Sequence, residues 1–234
     1  MHVPKIHVVF DGLFVPTNQT TGDVITPSVE ISSSSFSARV RFSLLDKDNS
    51  VIASNASNSS LSLTDTTIVD DVILQAHNID VWSIQTPNLY TVRVEVFSNN
   101  GDVDTVETRV GFRTIKFDGE TGFRLNNHPI KLRGFSHHNS IGGLGVSIPD
   151  RLWLFKIQMS VALGSNFWRM SHNPYRSGLY DLLDATGQMS WDENRDYGAK
   201  YANGAYVEAM QTMVKHHRNH ASIVMYSFCN EYEW

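Results

Sequence analysis

Just after Ile115 the hydrophobic period of this sequence changes. Before that point apolar residues recur at every second position; after it, short apolar runs alternate with stretches of helical period. Side chains alternate across a strand but return every 3.6 residues on a helix, so one pattern cannot serve as the other. The change divides the chain into residues 1–115 and 116–234.

The first part reads as all-β. Alternating runs recur at Ile6–Phe10, Ser37–Leu45, Thr66–Leu74, Tyr90–Phe97 and Thr105–Phe112. Within Thr91–Phe97 the valines occupy alternate positions, giving one apolar and one polar strand face. Turn-forming clusters separate the runs at Asp46–Ser50, Ser54–Ser60 and Asn99–Asp102, and the pair Asn100-Gly101 signals a tight hairpin. About seven strands without a helical period predict an immunoglobulin-like β-sandwich.

In the second part, Phe123–Ile130 reads as a hairpin leading into a strand at Ile130–Gly134. A helix from about Asp150 places Leu152, Phe155 and Met159 at helical spacing and stops at Gly164. Ser165–Arg169 is the next strand, followed by a helix carrying Leu179, Leu182 and Leu183 and ending at Gly187. Gln188–Asp192 is a third strand. A helix from about Gly204 presents Tyr206, Met210, Met213 and Val214 on one side, with His216, His217 and Arg218 in the last turn, where positive charge suits the helix dipole. Ile223–Phe228 is a fourth strand. Strands joined by helical crossovers pair in parallel, either in an open doubly wound sheet or in part of a barrel.

Polar residues at the strand ends favour the barrel. The first strand leads to His137, His138 and Asn139, and the second to Arg169 and Ser171-His172-Asn173-Pro174. The third ends in Asp192-Glu193, and the fourth is followed by Asn230-Glu231. In a (β/α)8 barrel the C-terminal strand ends line the active site. A single Arg or Asp at such a place is more often a loop salt bridge; four consecutive strands ending this way form a constellation. Trp153 and Trp168 read as core residues rather than stacking platforms, and Cys229 as a small apolar core residue.

The segments Val110-Gly-Phe-Arg-Thr-Ile115, Leu132-Arg-Gly134, Arg169-Met-Ser-His-Asn-Pro174, Leu179-Tyr-Asp-Leu-Leu-Asp184, Trp191-Asp-Glu193, Arg218-Asn-His220 and Asn230-Glu231 together resemble glycoside hydrolase family 2, its β-galactosidase-like members above all. The likeness runs from about Trp82 to Asn230, and residues 3–60 share it only loosely. It implies an immunoglobulin-like β-sandwich followed by a partial (β/α)8 TIM barrel of about four strands. It further implies hydrolysis of β-galactosides with retention of configuration, glucuronides and mannosides being the alternatives. The resemblance makes Glu231 the general acid/base and Asn230 the partner of the sugar 2-hydroxyl. His138 and His172 become contacts to ring hydroxyls, Arg169 a support for the catalytic carboxylates, and Asp192 and Glu193 the acidic pair of the third strand. These residue types fit the chemistry: one carboxyl protonates the leaving oxygen and a second carboxylate attacks the anomeric carbon.

The same resemblance implies that the chain is an internal piece. About 100 residues follow Lys131, against about 250 in a whole barrel, so the family nucleophile is expected on a later strand and the chain alone is expected to be inactive. A second reading is a non-catalytic module that assembles with another chain. Many β-galactosidase-like members hold magnesium through an acidic residue and a histidine just after the third strand. Here that stretch is Asn194-Arg-Asp-Tyr-Gly198 with no histidine, so neither metal nor cofactor is expected, although Asp196 would be the ligand if one bound. The loop Phe135-Ser-His-His-Asn139 also departs from its relatives at Ser136 and Asn139.

Composition sets outer limits. The formal charge is −5 with no basic stripe, so the expected partner is a carbohydrate, not nucleic acid or an anionic membrane, with a homo-oligomer as an option for the longer protein. The lone Cys229 excludes an intrachain disulfide. The first dozen residues lack the apolar core of a secretory signal.

Overall fold

The computed structural model describes residues 6–18, 24–57, 61–98, 101, 103–195 and 204–230. They fall into two compact units. The first comprises Met1–Asp80 and Leu89–Phe112, and the second Val81–Asn88 and Arg113–Trp234.

The described residues of the first unit form β1 (Ile6–Phe14), β2 (Val24–Ile25), β3 (Ser28–Leu45), β4 (Val51–Ala56), β5 (Leu61–Val69), β6 (Leu74–Gln75), β7 (Tyr90–Ser98) and β8 (Val103–Val110). The 18-residue β3 organises them. Over Val29–Ser33 it lies between β1 and β5, and over Arg41–Leu45 between β4 and β7, with every pairing antiparallel. β8 continues the sheet beyond β7, and β2 pairs with β6 apart from it. The alternation read from Thr91–Phe97 holds: Val92, Val94 and Val96 are fully buried and pack with Val40, Phe42 and Leu44 of β3.

Two expectations fail here. Ser54–Ala56 is strand, not turn. The polar side chains are satisfied: the Ser43 and Ser54 hydroxyls lie 3.0 Å apart across the β3–β4 pair, and Asn55 Nδ2 donates to the carbonyl of Ile73, just before β6, at 2.8 Å. These non-local hydrogen bonds thus outweigh local turn preference. The strand expected over Thr66–Leu74 instead runs from Leu61 to Val69 and stops at Asp70-Asp71, residues poorly suited to a ladder; Leu74 opens β6, which pairs with β2 in a separate sheet.

In the second unit β9 (Ile115–Asp118), β10 (Gly122–Leu125) and β11 (His128–Pro129) make a small antiparallel sheet. Then follow β12 (Gly134–His138), α1 (Asp150–Ala162), β13 (Phe167–Ser171), α2 (Ser177–Thr186), β14 (Met189–Glu193), α3 (Gly204–His217) and β15 (Ile223–Ser227). The four strands are parallel in the order β12-β13-β14-β15, as expected of a partial barrel. Among the described residues no helix is long and apolar enough to cross a membrane.

The first barrel strand starts at Gly134, not Ile130. There the neighbouring backbone is so close that a Cβ would sit 1.8 Å from the Phe167 carbonyl oxygen, so the ladder begins at a residue without a side chain. α1 buries Trp153, Ile157 and Ser160, whereas the expected core residues Phe155 and Met159 are 56% and 48% exposed. Both stripes have helical spacing; the bulk of Trp153, packed against Tyr175, decides which one turns inward. Trp168 is fully buried, as expected. α1 ends as its glycine predicts: Gly164 has φ +84°, its N–H meets the Val161 carbonyl and the Ser165 N–H meets that of Ser160. Gly187 closes α2 with φ +70° and meets a second demand, since a Cβ there would lie 2.3 Å from the Ile84 carbonyl oxygen. Ile84 belongs to the Val81–Asn88 segment, whose Trp82 is fully buried and donates its indole N–H to the Asp184 carbonyl at 2.8 Å.

Candidate active site

Alternation along β13 and β14 decides which polar groups meet. On β14, Trp191 and Glu193 leave one face and Asp192 the other. Arg169 of β13 lies on the Glu193 side, with its guanidinium carbon 4.9 Å from the centre of the Trp191 ring. Its Nε and Nη2 each lie 2.8 Å from Glu193 Oε2, and Nη2 also donates to Asn230 Oδ1 at 2.7 Å. His172 follows β13 after a cis peptide bond and sets Nδ1 2.8 Å from Glu193 Oε1. Ser227 Oγ approaches Oε2 at 3.4 Å. The Glu193 side chain is fully buried, whereas those of Arg169 and His172 remain 26% and 33% exposed. His138, the last residue of β12, packs edge-on against His172 at 5.2 Å between ring centres.

Arg169, His172, Glu193, Asn230 and His138 thus gather at the C-terminal ends of the parallel strands. Asn230 is held in one orientation: Arg169 Nη2 donates to its oxygen, leaving the Nδ2 group as the free donor end. Both Glu193 oxygens are engaged. Glu231 lies outside the described residues, as does Asp196.

Asp192, read from sequence with the substrate contacts, stands apart. It is fully buried on the helix side, accepting the Tyr180 hydroxyl of α2 on Oδ1 at 2.5 Å and meeting His217 Nδ1 of α3 on Oδ2 at 2.8 Å. Burial, reinforced by the Asp192 charge, raises the Tyr180 hydroxyl well above its ordinary pKa and keeps it a donor. The period-two rule applied to the Asp-Glu pair would have sent the two carboxylates to opposite faces. His217 was read only as a charge near a helix end; it is instead 1% exposed and tied to Asp192.

His137 and His138, adjacent in sequence, point apart as neighbours on a strand must. His137 stacks on Trp168 with ring centres 3.5 Å apart. Burial, with the nearby Lys156 charge adding to it, pushes its pKa down to about 4. Cys229, expected in the core, is half-buried.

A second polar group joins α2 to the start of β15. Asp184 Oδ2 meets His220 Nδ1 at 2.7 Å, and Oδ1 accepts the Ser222 N–H at 2.7 Å. Arg113, from the quoted Val110–Ile115 segment, buries its guanidinium and donates to the Ile223 carbonyl at 2.9 Å. Sequence reasoning assigned neither residue a role. A signal existed for Asp184: it follows Tyr180 by four positions on the apolar stripe of α2, where a buried carboxylate needs partners. Asp181, Asp184 and His220 bring potential ligand atoms within 4.8 Å of one another, but both Asp184 oxygens already hold hydrogen bonds.

Comparison with known proteins agrees with this architecture. The profile described as glycosyl hydrolases family 2 matches residues 11–113, and that of the family 2 TIM barrel domain matches residues 118–233. A β-galactosidase from Bacteroides ovatus is 34% identical over 161 residues, covering 64% of this chain and 19% of that protein. A putative β-glucuronidase from Formosa agariphila is 26% identical over 226 residues, covering 90% of this chain and 27% of its own length. The crystal structure of a family 2 member from Bacteroides cellulosilyticus superposes with a TM-score of 0.88 at 30% identity, over 97% of this chain and 32% of that one. The chain belongs to glycoside hydrolase family 2, spanning its sandwich domain and the start of its TIM barrel.

Proposed function

We propose that this chain carries the acid/base side of a retaining β-glycosidase site, and that its substrates are β-galactosides. The observation that carries the reading is the fork of Arg169, which holds Glu193 and Asn230 at once on the open strand-end face. Glu231, next to Asn230, is the proton donor to the leaving oxygen and later the base for water. The Nδ2 group of Asn230 donates to the sugar 2-hydroxyl, a bond that strengthens as positive charge develops at the anomeric carbon. His138 and the free nitrogen of His172 meet ring hydroxyls. Glu193 and Arg169 act through their neighbours, as positioning residues.

Neither Asp192 nor Glu193 suits the role of nucleophile: one faces the helices, and the other has both oxygens engaged. This reading takes the attacking carboxylate from further barrel strands, as the family resemblance implies, so turnover belongs to a polypeptide that includes them. Because Glu193 neutralises Arg169, a neutral sugar suits this face better than a uronate. The β-glucuronidase reading is kept open by the relative so named.

The test offers 4-nitrophenyl β-galactoside, β-glucuronide and β-mannoside to a chain with all eight strand–helix units. Turnover of the galactoside above the other two supports the proposal. Preference for the glucuronide transfers it to the second reading, and no turnover of any of them rejects both.

A further inference from the structure

Tyr175 is a buried side chain to which the hydrolase chemistry assigns no part. It packs its ring against Trp153, with ring centres 5.7 Å apart. Its N–H meets the Tyr180 hydroxyl at 3.3 Å, and that hydroxyl donates in turn to Asp192 Oδ1. The residue is therefore anchored among the helices, while its own hydroxyl reaches the backbone of the sheet. There it donates to the His137 carbonyl and lies 3.3 Å from the Ser171 carbonyl, one proton shared between two acceptors. Burial, with the Glu193 charge adding to it, raises the Tyr175 hydroxyl above its ordinary pKa, so it stays a donor at neutral pH and well beyond.

The two carbonyls have a position in common. Each belongs to the peptide group that leads into a histidine of the strand-end face, His138 in one case and His172 in the other. The ladder between β12 and β13 ends at the pair His138–Ser171, so the clamp sits where strand pairing gives out. A peptide group is planar, and fixing its carbonyl fixes how the chain enters the next residue. The two rings that follow lie 5.2 Å apart, edge to face. His172 is also tied to Glu193 through Nδ1. Among the described residues the His138 ring makes no hydrogen bond, so its placement depends on its backbone and on the His172 ring.

We propose that Tyr175 is a positioning residue for sugar specificity: its hydroxyl clamps the peptide groups before His138 and His172 and so sets the two imidazoles as one unit for adjacent ring hydroxyls. The proposal rests on the hydrolase reading, in which Asn230 takes the 2-hydroxyl; the ring hydroxyls left for the histidine pair are those at carbons 3 and 4. Tyr175 touches no substrate and acts only through the two histidines.

The test has two arms. In NMR spectra of the 234-residue chain, the Tyr175 hydroxyl proton is expected to give a resolved, slowly exchanging signal. The His138 and His172 rings should show a through-space cross-peak, which Tyr175→Phe removes. In a complete barrel, kcat/KM is measured for whichever 4-nitrophenyl glycoside the parent splits best and for its 2-, 3- and 4-deoxy analogues. Tyr175→Phe is expected to shrink the penalty for a missing 3- or 4-hydroxyl roughly 3–10-fold. The penalty at the 2-hydroxyl should stay as it is, since Arg169 holds Asn230 independently. A merely structural loss would not single out carbons 3 and 4. The proposal is overturned if the parent's hydroxyl proton exchanges freely, if folded Tyr175→Phe keeps the cross-peak, or if the three penalties change together or not at all. The hydroxyl signal judges it even where Tyr175→Phe does not fold. Should the parent split no glycoside, the hydrolase reading falls, and the hydroxyl signal and the cross-peak decide whether Tyr175 sets the two rings.

Discussion

Trp82 Nε1 donates to the Asp184 carbonyl across 102 residues of sequence, joining a segment read with the sandwich to the end of a barrel helix. Asp184 is fixed again through its side chain, by His220 and the Ser222 N–H. One residue of α2 therefore ties together three parts of the second unit.

Trp82→Phe is expected to keep most of the packing and lose the hydrogen bond, costing about 1–2 kcal/mol. Trp82→Ala loses the packing too and costs about 3–5 kcal/mol. Urea unfolding followed by a probe in the second unit checks the order; equal effects of the two variants would show that the hydrogen bond carries the whole contribution.

Acid should weaken the chain partly through His137. Its folded pKa, about 4, lies below the ordinary 6.5, so the unfolded chain takes up the proton first as the pH falls. The stability contributed by the neutral ring is complete above 6.5 and is lost as the pH falls through about 4. His137→Phe keeps a ring on Trp168 without a titrating group. Its denaturation midpoint should fall less than that of the parent over this window, and parallel curves for the two chains would remove His137 as a cause.

Arg169→Lys replaces a planar fork by a point charge that cannot hold Glu193 and Asn230 together. In a complete barrel, kcat is expected to fall roughly 10–100-fold with a smaller change in KM, since the lost bond positions a group that acts in the transition state. A rise in KM at unchanged kcat would instead assign Arg169 to ground-state binding.

Glu231→Gln cannot donate a carboxylic proton. Alkyl galactosides in a complete barrel should lose about 10²–10⁴-fold in turnover, and aryl galactosides with good leaving groups much less. Equal losses on both would remove Glu231 from the role of acid.

Much of the strand-end face was legible because charged residues directly after apolar runs have few other places to go in a parallel sheet. Arg169, His172, Glu193 and Asn230 were named that way, and the structure gathers them. Asp192 shares the signal and faces the helices, because adjacent strand residues cannot share a side. The inward stripe of α1 was not legible, since Trp153 with Ile157 and Phe155 with Met159 fit one period equally well. The start of β12 was hidden in a backbone contact at Gly134, and the pairing of His217 with Asp192 spans 25 residues that no local pattern connects.

The flanking of β3 on both sides has a consequence for exchange with heavy water. Within Val29–Ser33 and Arg41–Leu45 its backbone runs between two neighbours, so no amide there borders an open edge. Fraying of β1 or β4 exposes one side only of a short stretch. Amides in these two stretches that point at an inner partner should therefore exchange only through opening of the unit as a whole, at one shared free energy, while those of β4 facing away from β3 exchange by local fluctuation. In the first unit the slowest protons thus report the stability of the whole from β3 and from β7, which β3 and β8 flank in the same way.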